Sequence, residues 1–244
     1  MRPRTQDIPL PASKRQIDRA GDLVREYWTD PGIALEGEYM EAARLVYAFR
    51  LGFQDPLNRI TMGVRSMVTS EGAPIVVAQR LKRLPTIVGK LARLDRMKLC
   101  RMQDIGGCRA ILPARPQVDG VVHRIEANWD IKRFDDYTNE PKPTGYRAVH
   151  VVVERLGRQI EIQLRTPAQQ RWAAEVDRAG GQLGVFLKDG QGPPELVAAF
   201  AEVAAELPLL GDVRDLAALD ALFVPLRAKV REFAGARPPR PEVE

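Results

Sequence analysis

Two short segments rich in valine and isoleucine, 150–155 and 159–165, are separated only by Leu156, Gly157 and Arg158. β-Branched residues favour extended chain, and a glycine between two such runs suits a tight reversal. The two segments therefore predict a β-hairpin. This hairpin makes a β-sheet one part of the fold.

Helical patterns alternate with further strand patterns around the hairpin. We expect strands at 74–79, 105–112 and 129–137. We expect helices at 14–28, capped by Ser13, and at 36–53, 86–94, 118–127, 167–179, 194–207 and 212–234. This order predicts an α/β (α+β) fold in which a mixed sheet of about five strands is covered by helices.

The ends of the chain differ in character from its centre. Residues 1–13 are expected to form a flexible leader, and 235–244, which are rich in proline and charge, a disordered tail. Between them we expect one domain, 14–234, with the residues that carry chemistry at 76–178 and a helical C-terminal part at 193–234.

Composition limits the classes of protein and partner. The chain of 244 residues has a net charge of +5, which favours a polyanionic partner such as a nucleotide or RNA. No apolar run is long enough to cross a membrane, and no signal peptide is recognisable. The two cysteines are expected to be reduced thiols in the cytoplasm, and the two distant histidines argue against a histidine-rich metal site.

The second strand of the hairpin has one apolar and one polar face. Ile160, Ile162 and Leu164 alternate with the polar residues Glu161, Gln163 and Arg165. The polar face either meets water or lines a site, and the strand alone does not decide between them.

A second acid, Asp104, stands directly before a predicted strand and two glycines, Gly106 and Gly107. Two carboxylates at strand ends are a common way to hold Mg²⁺ beside substrate phosphates. Taken alone, Asp104 could equally be a loop acid that caps neighbouring amides.

Basic residues dominate 80–101, where Asp95 is the single acid. Arg80 and Lys82 lie two residues apart and share a face if the strand continues through them, so they can grip a triphosphate, and Lys90 can add to that grip. The alternative is a solvated cationic helix face. The chain has no glycine-rich phosphate loop, so phosphate binding must come mainly from side chains.

Four motifs follow one another along 77–173. They are Arg80-Leu81-Lys82 with Thr86 and Lys90; DIGGCR at 104–109; Asp136-Tyr137 with Pro141-Lys142 and GYRAVH at 145–150; and EIQLRT at 161–166 with Trp172-Ala173. In this order and spacing they resemble motifs of the RelA/SpoT synthetase family, the alarmone pyrophosphokinases. Arg83 replaces the first serine of the family's first motif.

The resemblance implies a nucleotidyltransferase-like synthetase fold and a reaction. Family members move the β,γ-pyrophosphate of ATP to the 3′-hydroxyl of a guanine nucleotide. By resemblance, Asp104 is a Mg²⁺ ligand, and Glu161 is either a second metal contact or the base that takes the proton of the attacking hydroxyl. The residues implied at ATP are Arg80, Lys82, Lys90 and Arg109.

The resemblance also implies an acceptor side. Tyr146, brought by a turn to the pocket mouth, would stack on the acceptor base. The other residues implied around the acceptor and its phosphates are Lys142, Arg147, His150, Gln163 and Arg165.

The chain departs from the family pattern after Trp172. Family members often continue W-A-x-x-E-H, but Ala174, Glu175, Val176 and Asp177 stand here, which puts acceptor handling in doubt. The chain has neither the length nor the histidines for the hydrolase half of the long family members.

The resemblance extends to small alarmone synthetases, including toxins that are paired with antitoxins and that modify the 3′ end of tRNA or make adenine alarmones. The acceptor is therefore expected to be a guanine nucleotide or tRNA, with the basic stretch 80–101 as the RNA-binding patch. An antitoxin partner and homo-oligomers stay open. The alternative function is a catalytically degenerate module that binds RNA, nucleotide or a partner protein.

Overall fold

The structure is a computed structural model, and it describes residues 6–30, 36–74, 76–207 and 216–235. Parts of the expected leader, of the strand expected at 74–79 and of the helix expected at 212–234 lie outside these residues, as does nearly all of the expected tail. Eight helices are described, namely α1 (Lys14–Thr29), α2 (Glu36–Leu51), α3 (Gln54–Ser70), α4 (Leu84–Arg93), α5 (Arg115–Asn128), α6 (Pro167–Leu183), α7 (Pro194–Glu206) and α8 (Leu216–Gly235). Five strands are described, namely β1 (Val77–Leu81), β2 (Gly106–Ile111), β3 (Ile131–Asp136), β4 (Val149–Arg155) and β5 (Arg158–Arg165).

The first helix begins where its sequence predicts. The Ser13 hydroxyl accepts a hydrogen bond from the Gln16 N–H, and the Gln16 side chain accepts one from the Ser13 N–H, which makes a capping box. Ile17, Ala20 and Val24 form its buried stripe at helical spacing. The predicted helix and its cap are confirmed.

The helix predicted at 36–53 ends at Leu51, and a further helix, α3, follows it. This helix was not predicted, although Leu57, Ile60, Val64 and Val68 bury one face at spacings of three and four residues. The apolar spacing of these four residues is therefore a sufficient sequence signal for this helix.

The sheet has the strand order β1-β2-β5-β4-β3. Strand β1 pairs antiparallel with β2, from Val77 opposite Ala110 to Leu81 opposite Gly106. Strands β4 and β5 form the predicted hairpin. Leu156 and Gly157 at its turn have φ values of 52° and 71°, as a two-residue turn with matching twist requires.

Strands β2 and β5 run in the same direction. A Cβ on Gly106 would lie 2.7 Å from Ile160 Cδ1, near the start of both strands. At the other end of both strands, the Leu112 N–H donates to the Arg165 carbonyl oxygen over 2.9 Å. Parallel and antiparallel pairs therefore coexist, and the prediction of a mixed five-stranded sheet with helices is confirmed.

The expectation of a short buried strand at 74–79 is wrong in position and burial. Strand β1 covers Val77–Leu81, and its three central residues are exposed. The physical reason is its place at the edge of the sheet, where only one neighbouring strand covers it.

The chain divides into two compact units. The first unit comprises Met1–Ala110, Gly120–Phe134 and His150–Gln163, and it contains most of the sheet. The second comprises Ile111–Asp119, Asp135–Val149 and Leu164–Glu244. The expectation of one domain over 14–234 stays a prediction.

Each unit has an apolar interior. In the first unit, Val64, Ile87 and Ile160 are fully buried. In the second, Trp172 lies at the centre of a cluster with Phe200 and Phe223, and its Nε1 donates to the Phe200 carbonyl oxygen over 2.8 Å. Across the described ranges, no helix is both long and apolar enough to span a membrane.

Candidate active site

The two predicted acids come from neighbouring strands of the first unit. Asp104 precedes β2, and Glu161 lies on β5, which pairs with β2 in the sheet. Lys82 follows β1 directly, and its main chain is held from both sides. Its N–H donates to the Ile105 carbonyl oxygen over 2.8 Å, and Arg50 Nε donates to its carbonyl oxygen over 2.7 Å.

Asp104 is held by two lysines through one oxygen. Its Oδ2 lies 2.8 Å from Lys82 Nζ and 2.9 Å from Lys90 Nζ. Burial alone would raise the pKa of this carboxyl group, but the charges of Lys90 and Lys82 outweigh it and lower the pKa. Its Oδ1 is buried and has no hydrogen-bond partner within the described part of the chain. Asp104 is thus ionised and keeps one oxygen for a further ligand.

Glu161 is held through both oxygens. Oε1 lies 3.1 Å from His150 Nδ1, and Oε2 accepts a hydrogen bond from Gln163 Nε2 over 2.7 Å. Burial would raise the pKa of Glu161, and the nearby charge of Asp104 acts in the same direction. The hydrogen bond and charge of His150, with the hydrogen bond from Gln163, outweigh both and lower the pKa.

A cavity of about 290 Å³ lies over one face of strands β1, β2 and β5. Arg80 is opposite Gly107 in the sheet and Ala78 is opposite Arg109, so these side chains share a face. We call this space the Arg80 cavity; its charged lining residues are Arg80, Lys82, Asp104, Arg109 and Glu161. On the polar face of β5, Glu161 and Gln163 therefore line a cavity, whereas Arg165 does not.

A second cavity, of about 740 Å³, shares Asp104 and Glu161 with the first. We call it the Arg96 cavity. Its basic lining residues are Lys90, Arg93, Arg96, Lys98, Arg101 and Arg133. Most of them belong to the basic stretch singled out in the sequence. Arg133 on β3 was missed, because nothing in the sequence shows that a distant strand reaches this cavity.

The described residues contain no cluster of three or more His, Cys, Asp or Glu side chains that could hold a metal ion by itself. Mg²⁺ at nucleotide sites usually takes one or two protein carboxylates and completes its shell with phosphates and water. Asp104, with its buried and unbonded Oδ1, and the adjoining Glu161 fit that requirement.

The structure does not place Tyr146 at a pocket mouth. Its side chain lies in the second unit and is 5% exposed, with its ring edge-on to Tyr137 and Trp172. Its hydroxyl accepts a hydrogen bond from Arg165 Nη2 over 2.6 Å, and Lys142 Nζ lies 5.3 Å from the ring centre. The expected location was wrong because the ring packs into the apolar cluster around Trp172.

The predicted acceptor residues fall into three groups. His150 and Gln163 bind Glu161 in the first unit. Lys142 and Arg165 surround the Tyr146 ring in the second. Arg147 lines a different cavity of the second unit.

The altered segment after Trp172 contains a buried acid. Glu175 is 3% exposed, and its carboxylate binds Arg171 and Arg178 of α6 and Arg227 of α8. The closest of these contacts is 2.6 Å, from Arg227 Nη2 to Glu175 Oε1. Glu175 therefore links α6 and α8 of the second unit through ion pairs.

Comparison with known proteins identifies the family. Residues 79–178 match the family described as "Region found in RelA / SpoT proteins". The GTP pyrophosphokinase YwaC of Bacillus subtilis is 30% identical over 146 residues, which are 53% of this chain and 69% of that protein. The GTP pyrophosphokinase of Escherichia coli K12 is 30% identical over 142 residues, but the match covers only 18% of its length.

A solved structure shows the same fold. The small alarmone synthetase 1 of Bacillus subtilis, bound to its product pppGpp, superposes with a TM-score of 0.54 at 21% identity. The match covers 73% of this chain and 94% of that one. The chain belongs to the RelA/SpoT family of pyrophosphokinases.

Proposed function

We propose that this chain transfers the β,γ-pyrophosphate of ATP to the 3′-hydroxyl of a guanine nucleotide, which is (p)ppGpp synthesis, or to the 3′ end of tRNA. In this reaction the 3′-oxygen bonds to the β-phosphorus, the bond from that phosphorus to the α-phosphate oxygen breaks, and AMP leaves. One observation carries the proposal. Asp104, which forms ion pairs with two lysines, and Glu161, which contacts His150, line the same cavity together with basic side chains.

The donor side is proposed to be the Arg80 cavity. Arg80, Lys82 and Arg109 line it, and Lys90 reaches Asp104 from α4. Phosphoryl-type transfer requires alignment and charge neutralisation more than covalent chemistry, and these four cations supply both. Asp104 and Glu161 would hold Mg²⁺, which when bound would neutralise phosphate charge.

Glu161 is proposed to accept the proton of the attacking hydroxyl. Its lowered pKa keeps it ionised at neutral pH, as a base must be. His150 and Gln163 fix the orientation of its carboxylate, because each binds one oxygen. The unbonded oxygen on Asp104 makes that residue the better metal ligand.

Two observations bear on the acceptor. A guanine nucleotide is supported by the names of the curated relatives and by the pppGpp in the similar structure. tRNA is supported by the six basic residues of the Arg96 cavity, since cations along a groove supply most of the sequence-independent affinity for RNA. Growth inhibition and an antitoxin partner would accompany the tRNA activity.

The acceptor-side roles of Lys142, Tyr146, Arg147 and Arg165 stay predictions. For Tyr146, stacking on a base requires the ring to leave its present packing, because only 5% of the residue is exposed. A ligand that binds the exposed conformation of the ring more tightly would shift the population towards it.

The alternative is a degenerate synthetase fold that binds nucleotide, RNA or a protein without turnover. The altered segment after Trp172 motivates it. The ordered contacts of Asp104 and Glu161 favour the enzyme, because adjoining acids with shifted pKa values are typical of catalytic sites.

An acceptor panel tests the proposal. The chain is incubated with ATP labelled at the γ-phosphate, Mg²⁺, and GDP, GTP, ATP or deacylated tRNA in turn. We expect labelled product with a guanine nucleotide or with tRNA. Retention of all label in ATP and its breakdown products, at high protein concentration, would favour the degenerate module.

A further inference from the structure

Arg147 points away from the tyrosine that precedes it. Tyr146 and Ala148 belong to the apolar cluster around Trp172. Arg147 instead lines a separate cavity of about 610 Å³ within the second unit, which we call the Arg147 cavity. Neighbouring side chains in an extended chain point to opposite sides. The tyrosine of GYR therefore packs into the apolar cluster, and the arginine lines the Arg147 cavity.

Among the side chains that the structure describes, the Arg147 guanidinium has no counter-charge. Its Nη1 donates to the Thr138 carbonyl oxygen over 3.0 Å. Its Nε is buried and, like the rest of the group, has no carboxylate partner among the described side chains. Burial lowers the pKa of Arg147, and no opposite charge within the described ranges offsets this effect. A partly desolvated cation without a partner is costly, and a bound anion would remove that cost.

The second arginine of the cavity is already neutralised. Arg115 Nε lies 2.7 Å from Asp119 Oδ1, and Arg115 Nη2 lies 2.8 Å from Asp136 Oδ2. Arg147 is therefore the cation available to a ligand. Asp119 also lines the cavity, and its charge opposes the binding of an anion.

The remaining walls suit the rest of a small organic molecule. Pro113, Pro116 and Leu207 supply rigid apolar surface. The first turns of α5 and α6 also line the cavity, and they add partial positive charge to that of Arg147. The cavity volume lies within the range of about 300–1,000 Å³ that is typical of small-molecule sites.

We propose that the Arg147 cavity binds a phosphorylated small molecule of mononucleotide size, with its phosphate on Arg147 and its ring against the proline and leucine wall. The cavity shares no lining residue with the Arg80 and Arg96 cavities. The proposal does not depend on the transfer reaction, and it replaces the acceptor-side role that the family resemblance implies for Arg147.

Calorimetric titration with GMP and AMP as probes tests this site. The protein carries Arg80→Ala and Lys82→Ala, which weaken phosphate binding in the Arg80 cavity. We expect at least one probe to bind in this background, and Arg147→Ala to weaken it about tenfold, the loss expected for a charged hydrogen bond. Asp119→Asn should strengthen binding severalfold, because it removes a repelling charge.

Lys142→Ala is the discriminating control. Lys142 lies over the rings of Tyr137 and Tyr146 and does not line the Arg147 cavity, so its removal affects only binding at the predicted acceptor site. In the Lys142→Ala protein, Arg147→Ala should therefore still weaken probe binding about tenfold. If Arg147→Ala has no further effect in the Lys142→Ala protein, both residues belong to one acceptor site and the proposal is overturned.

Two further results would also overturn it, namely binding of neither probe in the starting background, and unchanged binding in Arg147→Ala. Circular dichroism checks that the Arg147 variant is folded. If it is not, Asp119→Asn decides the question, since its side chain is 52% exposed, and unchanged affinity there contradicts the proposal. Transfer activity of the unmodified chain is measured separately, so failure of this site and failure of the proposed reaction are distinguished.

Discussion

His150 Nδ1 lies 3.1 Å from Glu161 Oε1, and this contact joins two paired strands at the candidate active site. Strand β4 carries the histidine and β5 carries the glutamate. Because Gln163 binds the other oxygen, the carboxylate is held in one orientation. Such restraint places a base before the substrate arrives.

Removal of the histidine should raise the pKa of Glu161. In the folded protein this pKa is below its ordinary value of 4.5, and the largest favourable contribution comes from His150. We expect His150→Ala to move the titration midpoint of the Glu161 carboxyl carbon upwards, as followed by ¹³C NMR and assigned by comparison with Glu161→Gln. A midpoint that is unchanged in His150→Ala would contradict the stated cause.

The same shift predicts a dependence of stability on pH. A carboxyl with a lowered pKa in the folded state stabilises the fold above its unfolded pKa, and it loses this contribution as the pH falls through the folded value. The difference in melting temperature between the unmodified chain and Glu161→Gln should therefore be constant from pH 7 to about 5.5 and change below pH 4.5. A change centred near pH 6.5 would assign the effect to a histidine.

Lys82→Met should weaken ATP binding. The lysine lines the Arg80 cavity, and its side chain is 12% exposed, so its charge acts with little screening. We expect the KM for ATP to rise between about tenfold and a hundredfold. Lys132→Met, on β3 and paired with Asp130, is the matched control and should leave the KM unchanged. Equal effects in both variants would mean that general charge matters more than position.

Gly107 should tolerate a methyl group but not a large side chain. A Cβ at this position would approach nothing closer than the Glu161 carbonyl oxygen, at 3.7 Å. We expect Gly107→Ala to melt like the unmodified chain, and Gly107→Leu to fill the Arg80 cavity and block ATP binding, as measured by calorimetry. Normal ATP affinity in a folded Gly107→Leu protein would place the donor site elsewhere.

Gly145 should tolerate no side chain at all. Its φ is 86°, and a Cβ there would lie 2.8 Å from the Ala201 main chain. We expect Gly145→Ala to lower the free energy of unfolding by about 2 kcal/mol or more. Gly181→Ala is the control, because that helical position is open and alanine should stabilise it by about 0.5–1 kcal/mol. Denaturant unfolding measures both free energies. Equal stability of the two variants would show that the positive φ and the close approach of Ala201 do not exclude a side chain at Gly145.

Features set by local pattern could be predicted from the sequence. The hairpin, the Ser13 cap and the polar face of β5 each depend on residues close together in the chain. The neighbourhood of Asp104 and Glu161 could be expected because strand-end acids and a family resemblance point to the same edge of the sheet.

Features set by packing could not be predicted in this way. The burial of Tyr146 depends on Trp172 and on the helical cluster around it, and the position of Arg133 at the Arg96 cavity depends on strand order. The contact of Glu175 with Arg227 joins residues that lie on different helices. Long-range contacts of this kind leave no periodic signal in the sequence.

The central claim is that Asp104 and Glu161 together serve pyrophosphate transfer from ATP. It is tested most directly by following ATP labelled either at the α- or at the γ-phosphate, with the best acceptor of the panel, in the unmodified chain, Asp104→Asn and Glu161→Gln. The account predicts that the γ label moves to the acceptor while the α label leaves as AMP, and that both folded variants lose this transfer. Transfer of the γ label alone without release of AMP, or near-normal rates in either variant, would contradict it.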